Sequence, residues 1–201
     1  PTYGQSIVSY TGTGSAATVG HGLSGAPEFI IVKRRDAVDS WIAQRQANNH
    51  MTLQTANAEG SSSTFVTALG SSTFSIGTDT AVNASSGTYI AYCFDSVAGY
   101  SSIGSYTGNG SATGPTIALG FRPAFLMVKN SSNGGSWEIY DSTRNPTNPI
   151  DLTLLADGSN AEITIGSGGR FNFTDTGFTI IHDGGSVNGN GQTMIYMAFA
   201  D

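Results

Sequence analysis

Charge is scarce in this chain of 201 residues: charged side chains make up 11% of it, about half the usual share of a soluble domain. Basic residues are the rarest, with eight Lys and Arg against 14 Asp and Glu, so the formal net charge is −6 and the pI lies near 4.8. So few cations cannot form the footprint that a phosphate backbone demands, which argues against nucleic acid and anionic membranes as partners. Cysteine is almost absent. Cys93 stands alone, so no intrachain disulfide can form. It lies in the apolar run 89–94 with no cation beside it, which suits a small buried hydrophobe better than a reactive thiol. No apolar run approaches the ~20 residues of a membrane-spanning helix. No basic and then apolar leader opens the sequence, so no secretory signal is expected. The opening Pro1-Thr2-Tyr3 suits a start methionine trimmed before a small residue. Both a whole product made in a cytoplasm and a piece of a longer chain stay open.

Glycine, with 27 copies, and Ser, Thr and Asn fill the space left by charge, a composition that also occurs in disordered chains. Two Trp, eight Tyr and ten Phe, set inside clear apolar runs, indicate a folded protein with many turns instead.

Internal repetition decides the organisation. Ser9-Tyr10-Thr11-Gly12-Thr13-Gly14-Ser15-Ala16 recurs 96 residues later as Ser105-Tyr106-Thr107-Gly108-Asn109-Gly110-Ser111-Ala112. The same offset carries Pro27, Phe29, Val32, Lys33 and Trp41 to Pro123, Phe125, Val128, Lys129 and Trp137. Near the end of each unit, residues 88–94 answer 193–199 and Val82-Asn83 answers Val187-Asn188, at an offset of 105. The second unit has therefore gained nine residues after Trp137, and the Pro-rich stretch Asn145–Pro149 is the expected site.

Within each unit the pattern is strand and turn. Residues 28–33 and 124–129 are short apolar runs after a proline, as buried strands are. Ser132-Asn133-Gly134-Gly135 predicts a tight turn in which Asn-Gly supplies positive φ, followed by an alternating strand, Ser136–Tyr140. Residues 37–47 are the best helical candidate, and their counterpart in the second unit is a hairpin, so a strand is expected there. The chain reads as all-β: two tandem, pseudo-repeated antiparallel β-sandwich modules of jelly-roll type, at 1–97 and 98–201. One fused core is the alternative.

Candidate chemistry is sparse. The Gly-rich turns at 12–14 and 108–110 complete no phosphate-binding pattern, and no helix follows them. His21, His50 and His182 lack metal-ligand spacing and read as isolated turn or surface residues. No Gly-x-Ser-x-Gly elbow and no evident carboxylate pair occurs, so no catalytic residue and no cofactor is assigned. Asp183, Asn188 and Asn190, in a Gly-rich run, are candidate Ca²⁺ ligands set against a plain turn; the counterpart run 79–87 keeps an Asp and an Asn. Trp41, Trp137, Tyr140 and Phe121 are candidate ligand or interface residues able to stack on sugars. The repeat favours a core or module-interface role for the two tryptophans. Tyr140 alternates with Glu138 along its strand, which leaves a wet face open for it.

Three strings taken together, Tyr-Thr-Gly-x-Gly, residues 119–130 with 136–144, and Thr-Tyr-Ile-Ala-Tyr-Cys-Phe at 88–94, are similar to an uncharacterised β-rich repeat of bacteriophage tail-fibre and virion genes. The first unit departs from it at Ile42–Gln46, and the second at Ala198 in place of cysteine. The resemblance implies a non-enzymatic virion protein of a tail fibre, tail tip or capsid surface, made in a bacterial cytoplasm. Its expected partners are other virion proteins and copies of itself, trimeric by analogy, with a host-surface glycan as a further one. A carbohydrate-binding, lectin-like adhesin is the rival reading.

Overall fold

The structure is a computed structural model that describes residues 3–166 and 168–201. Pro1 and Thr2, and with them the trimmed-methionine expectation, lie outside the described residues. The chain divides into two compact units between Ser96 and Val97, with Thr55–Ala58 counted in the second.

In the first unit, six strands form one antiparallel sheet: β1 (Gln5–Thr11), β3 (Phe29–Arg34), β4 (Trp41–Gln46), β5 (Asn49–Thr52), β6 (Gly60–Ser61) and β9 (Thr88–Phe94). Their order is β1-β9-β3-β4-β5-β6. A smaller sheet, β2-β8-β7, joins β2 (Ala17–Gly20), β7 (Val66–Leu69) and β8 (Thr73–Ile76). One helical turn, α1 (Thr80–Asn83), leads into β9. Strand alternation explains the core. Tyr89, Ala91 and Cys93 of β9 and Ile30 and Val32 of β3 point to one side, where they meet Val66, Phe74 and Ile76 of the smaller sheet and Val82 of the turn. Burying each large apolar side chain there contributes roughly 1.5–3 kcal/mol.

The second unit repeats this plan strand for strand. Its large sheet is β10-β18-β12-β13-β14-β15, built from β10 (Ser101–Thr107), β12 (Phe125–Asn130), β13 (Glu138–Asp141), β14 (Leu152–Leu155), β15 (Ile163–Thr164) and β18 (Thr193–Phe199). Its small sheet is β11-β17-β16, from β11 (Thr116–Ala118), β16 (Phe171–Thr174) and β17 (Gly177–Ile180), and α2 (Gly185–Asn188) precedes the last strand. A separate core of Leu126, Val128, Phe171, Phe178, Ile180 and Val187 fills it. The fused-core alternative is thereby set aside. Each unit is a β-sandwich of its own. In each, the first strand pairs with the last and the second with the next to last, the nested pairing of a jelly roll; β3 to β6 and β12 to β15 run instead as simple meanders.

Residues 41–46 are strand, as the comparison between repeats required. The register locates most of the insertion. Ala43 faces Met51 as Ile139 faces Leu154, so the offset grows from 96 to 103 residues between those paired strands. The Pro-rich loop carries the difference. It is ordered by side chains: Asn148 Nδ2 donates to Phe173 O and Asn148 Oδ1 accepts from Phe173 N, both at 2.8 Å. That amide mimics a neighbouring strand along the outer edge of β16. In the first unit Gln44 does the same for β7, accepting from Val66 N at 2.8 Å and donating to Val66 O at 3.0 Å. Capping an edge in this way withholds it from stray strand pairing.

The turn at 132–135 differs from expectation in one respect. Positive φ falls on Gly134 (78°) and Gly135 (125°) and not on Asn133, because seven residues separate β12 from β13 and no two-residue hairpin forms.

Candidate functional site

The strongest repeated motif, Tyr-Thr-Gly-x-Gly, meets the repeated Val-Asn of the helical turn at one end of each sandwich. Tyr10 Oη donates to Val82 O at 2.7 Å, and Tyr106 Oη donates to Val187 O at 2.6 Å. Each Gly after the Thr lies hard against the turn: a Cβ would stand 2.2 Å from Ala84 O at Gly12 and 2.4 Å from Gly189 O at Gly108. Only glycine fits there. The residue at x donates its N–H to the buried asparagine, Thr13 to Asn83 Oδ1 at 2.7 Å and Asn109 to Asn188 Oδ1 at 2.9 Å. The second Gly is left-handed, with φ of 73° at Gly14 and 64° at Gly110. Its N–H donates to Asn83 O and Asn188 O respectively.

Asn83 and Asn188 therefore act as pins. Asn83 Nδ2 donates to Ser15 O at 2.7 Å and Gly77 O at 2.6 Å, while Asn188 Nδ2 reaches Ser111 O at 2.7 Å and His182 O at 2.8 Å. Both side chains are fully buried. The sequence signal was the coincidence of Val-Asn with Tyr-Thr-Gly-x-Gly in both repeats; what linked the two strings was their packing.

The calcium candidate does not assemble. Asn188 spends its oxygen on Asn109 N–H, and most of the run 183–191 is the helical turn with its caps. Asp183 and Asn190 are exposed, and among the described residues no group of three or more His, Cys, Asp or Glu stands where it could hold an ion. The counterpart Asp79 caps α1 through Ala81 N, a place taken in α2 by Gly184, so of the Asp and Asn common to the two runs only the Asn is equivalent.

The aromatic candidates are mostly interior. Phe121 (7% exposed), Trp137 (1%) and Tyr140 (0%) offer no stacking face to a sugar, and Tyr140 has no wet side because both its ring and its hydroxyl pack into the core. Trp41 is half-buried. The repeat-equivalent ammonium lies 5.8 Å from each indole, Lys33 over Trp41 and Lys129 over Trp137. These pairs brace the hairpins by cation–π attraction. Lys129 is wholly buried, which pulls its ammonium down to about 8, and it donates to Ala56 O at 3.0 Å and to Gly135 O.

Each histidine has its own neighbours. His21 is buried, contrary to its reading as a turn or surface residue, because its ring bridges two backbone groups. Nδ1 accepts from Leu23 N at 3.1 Å, and Nε2 faces Gly70 O at 3.0 Å. His50 packs on Phe65 with ring centroids 4.3 Å apart. His182 Nδ1 accepts from Gly184 N at 2.7 Å. Cys93 is buried, which pushes its thiol up to about 12.

One polar cluster went unread in the sequence. Glu138, 5% exposed, accepts from Tyr140 Oη and stands 3.2 Å from Arg170 Nε; Arg170 Nη1 in turn lies 3.5 Å from His182 Nδ1. Burial, and then the Glu138 charge, push the Tyr140 phenol well above its ordinary value. In the first unit Ile42 and Gln44 occupy the places of Glu138 and Tyr140, so the charged set belongs to one module alone. Glu138 is engaged by both neighbours, which suits locking a core more than transferring a proton.

A family model matches residues 1–201 in full. The protein belongs to the family described as Domain of unknown function (DUF7483). A single match spans both sandwiches, so the unit that defines the DUF7483 family is the pair and not one module. No curated protein and no solved structure matches the chain.

Proposed function

We propose that the protein is a non-enzymatic structural component of a bacteriophage particle, sited at a tail fibre, tail tip or capsid surface, which works by protein–protein contact. One observation carries the non-catalytic part: the large polar side chains that the duplication preserves, Tyr10 and Tyr106, Asn83 and Asn188, Lys33 and Lys129, are spent on internal contacts. The Tyr–Val and Asn pins and the Lys–Trp braces all hold strands and turns. What such modules present outward is β surface sparse in charge, with Ser, Thr and Asn turns, which suits shape-based assembly with little long-range steering. The setting comes from the likeness of the repeated strings to virion genes, and oligomerisation from the usual symmetry of such parts. The adhesin alternative loses its best carriers, because Phe121, Trp137 and Tyr140 are interior.

Gold-labelled antibody against this chain, applied to particles released from cells that carry its gene, tests the proposal. Label at a fixed position on the particle is the expected result. Unlabelled particles, with the chain free in the lysate or on the host envelope, would refute it. Binding of the isolated protein to a glycan array would restore the adhesin reading.

A further inference from the structure

The sequence contains four Asn-Gly steps, at 109–110, 133–134, 188–189 and 190–191, all in the second unit. In such a step the backbone nitrogen of the glycine can attack Cγ of the asparagine side chain. The C–N bond to the side-chain amide breaks, ammonia leaves with the proton, and a succinimide ring forms. Water then opens either carbonyl to give Asp or isoaspartate. No oxidant or cofactor is needed. The reaction requires a movable side chain and a glycine N–H free of hydrogen bonds.

Three of the four steps are guarded. Asn188 is fully buried with its amide bonded at both ends. Asn109 Nδ2 donates to Thr113 O at 2.9 Å, its Oδ1 accepts from Ser111 N at 3.1 Å, and Gly110 N–H is held by Asn188 O at 2.8 Å. Asn190 is exposed, yet the nucleophile beside it is occupied, because Gly191 N–H donates to Gly108 O at 2.9 Å. Asn145 and Asn148 precede prolines, which lack the N–H.

Asn133 differs on each count. It is exposed at the tip of the β12–β13 connection, and two left-handed glycines follow it. Among the described residues neither its side-chain amide nor Gly134 N–H has a hydrogen-bond partner; only its own N–H is engaged, donating to Asn130 Oδ1 at 3.0 Å. We infer that Asn133-Gly134 is a site of spontaneous deamidation in the folded protein, and that the fold protects the other three steps. Each conversion adds one negative charge to an already acidic chain and, in the isoaspartyl form, one extra backbone carbon to this turn.

The test is to hold the folded protein at mildly alkaline pH and physiological temperature, with a parallel sample in denaturant. Isoaspartate-specific methylation and peptide mass mapping then follow each step. In denaturant all four convert. In the folded sample the 133–134 peptide is expected to convert at nearly its denatured rate, and the other three roughly tenfold more slowly or worse, since they must first open locally. An Asn133→Gln variant should remove the fast isoaspartate signal. Protection of Asn133 comparable to that of the others, equally fast conversion at 109, 188 or 190, or fast isoaspartate surviving in N133Q would each overturn the inference.

Discussion

Replacing Asn188 by alanine puts the pin to a direct test. The amide oxygen accepts from Asn109 N at 2.9 Å, and the nitrogen reaches Ser111 O, His182 O and Asn109 Oδ1 at 2.7, 2.8 and 3.0 Å. Ser111 and Asn109 stand near solvent and can exchange these bonds for water, so only part of the set is lost outright. The bond to His182 O at ~1 kcal/mol, with a penalty of ~1 kcal/mol for the carbonyl left unpaired, gives a cost of about 2 kcal/mol. For a module of this size that lowers its melting temperature by roughly 10 °C. Urea and thermal unfolding followed by circular dichroism would measure it, with an unchanged denaturant slope showing that stability alone has moved. Asn190→Ala, two residues away and exposed, is the control and should stay within about 0.5 kcal/mol of the parent. A loss below about 1 kcal/mol in N188A, or an equal loss in both variants, refutes the pin. Calcium added to the parent should leave its melting temperature unmoved; a clear rise would revive Asp183, Asn188 and Asn190 as ligands.

Two further outcomes follow from the same interior. Burial, and then the nearby Arg170 charge, hold His182 below its ordinary 6.5, with Asp183 and Glu138 opposing. The unfolded chain therefore binds more protons, so this contribution is whole above pH 6.5 and is lost as pH falls below it. His50, lowered by burial, acts in the same direction, so His182→Gln should make the acid decline in stability shallower without abolishing it; an unchanged decline in urea titrations would count against the assignment. Cys93, buried and with its thiol pushed up to about 12, should resist alkylation at neutral pH until the first unit unfolds. Modification of the native protein as rapid as that of the denatured chain would contradict this.

The Glu138–Arg170–Tyr140 set gives the second module something the first lacks. Ion pairs of this kind rarely raise stability over an apolar replacement, yet breaking one leaves a buried charge uncompensated. The first module fills the same sites with Ile42 and an amide, Gln44, that caps its edge strand. Duplication thus preserved the frame and let one interior diverge.

Repeat and alternation were legible in the sequence alone. Two strings in constant register, apolar runs too short for helices, and glycine-rich turns between them determined the all-β class, the duplication and the place of the insertion, because strand periodicity and turn chemistry are local properties. Tertiary structure decided what the polar and aromatic residues do. Asn188 looked like a calcium ligand and Tyr140 like a half-wet aromatic beside Glu138, whose ion pair with Arg170 nothing in the sequence signalled; each role depends on Asn109, Arg170 or a sheet edge far away along the chain. A side chain's residue type states which bonds it can make, and only the packing of distant strands determines which of them it has already made.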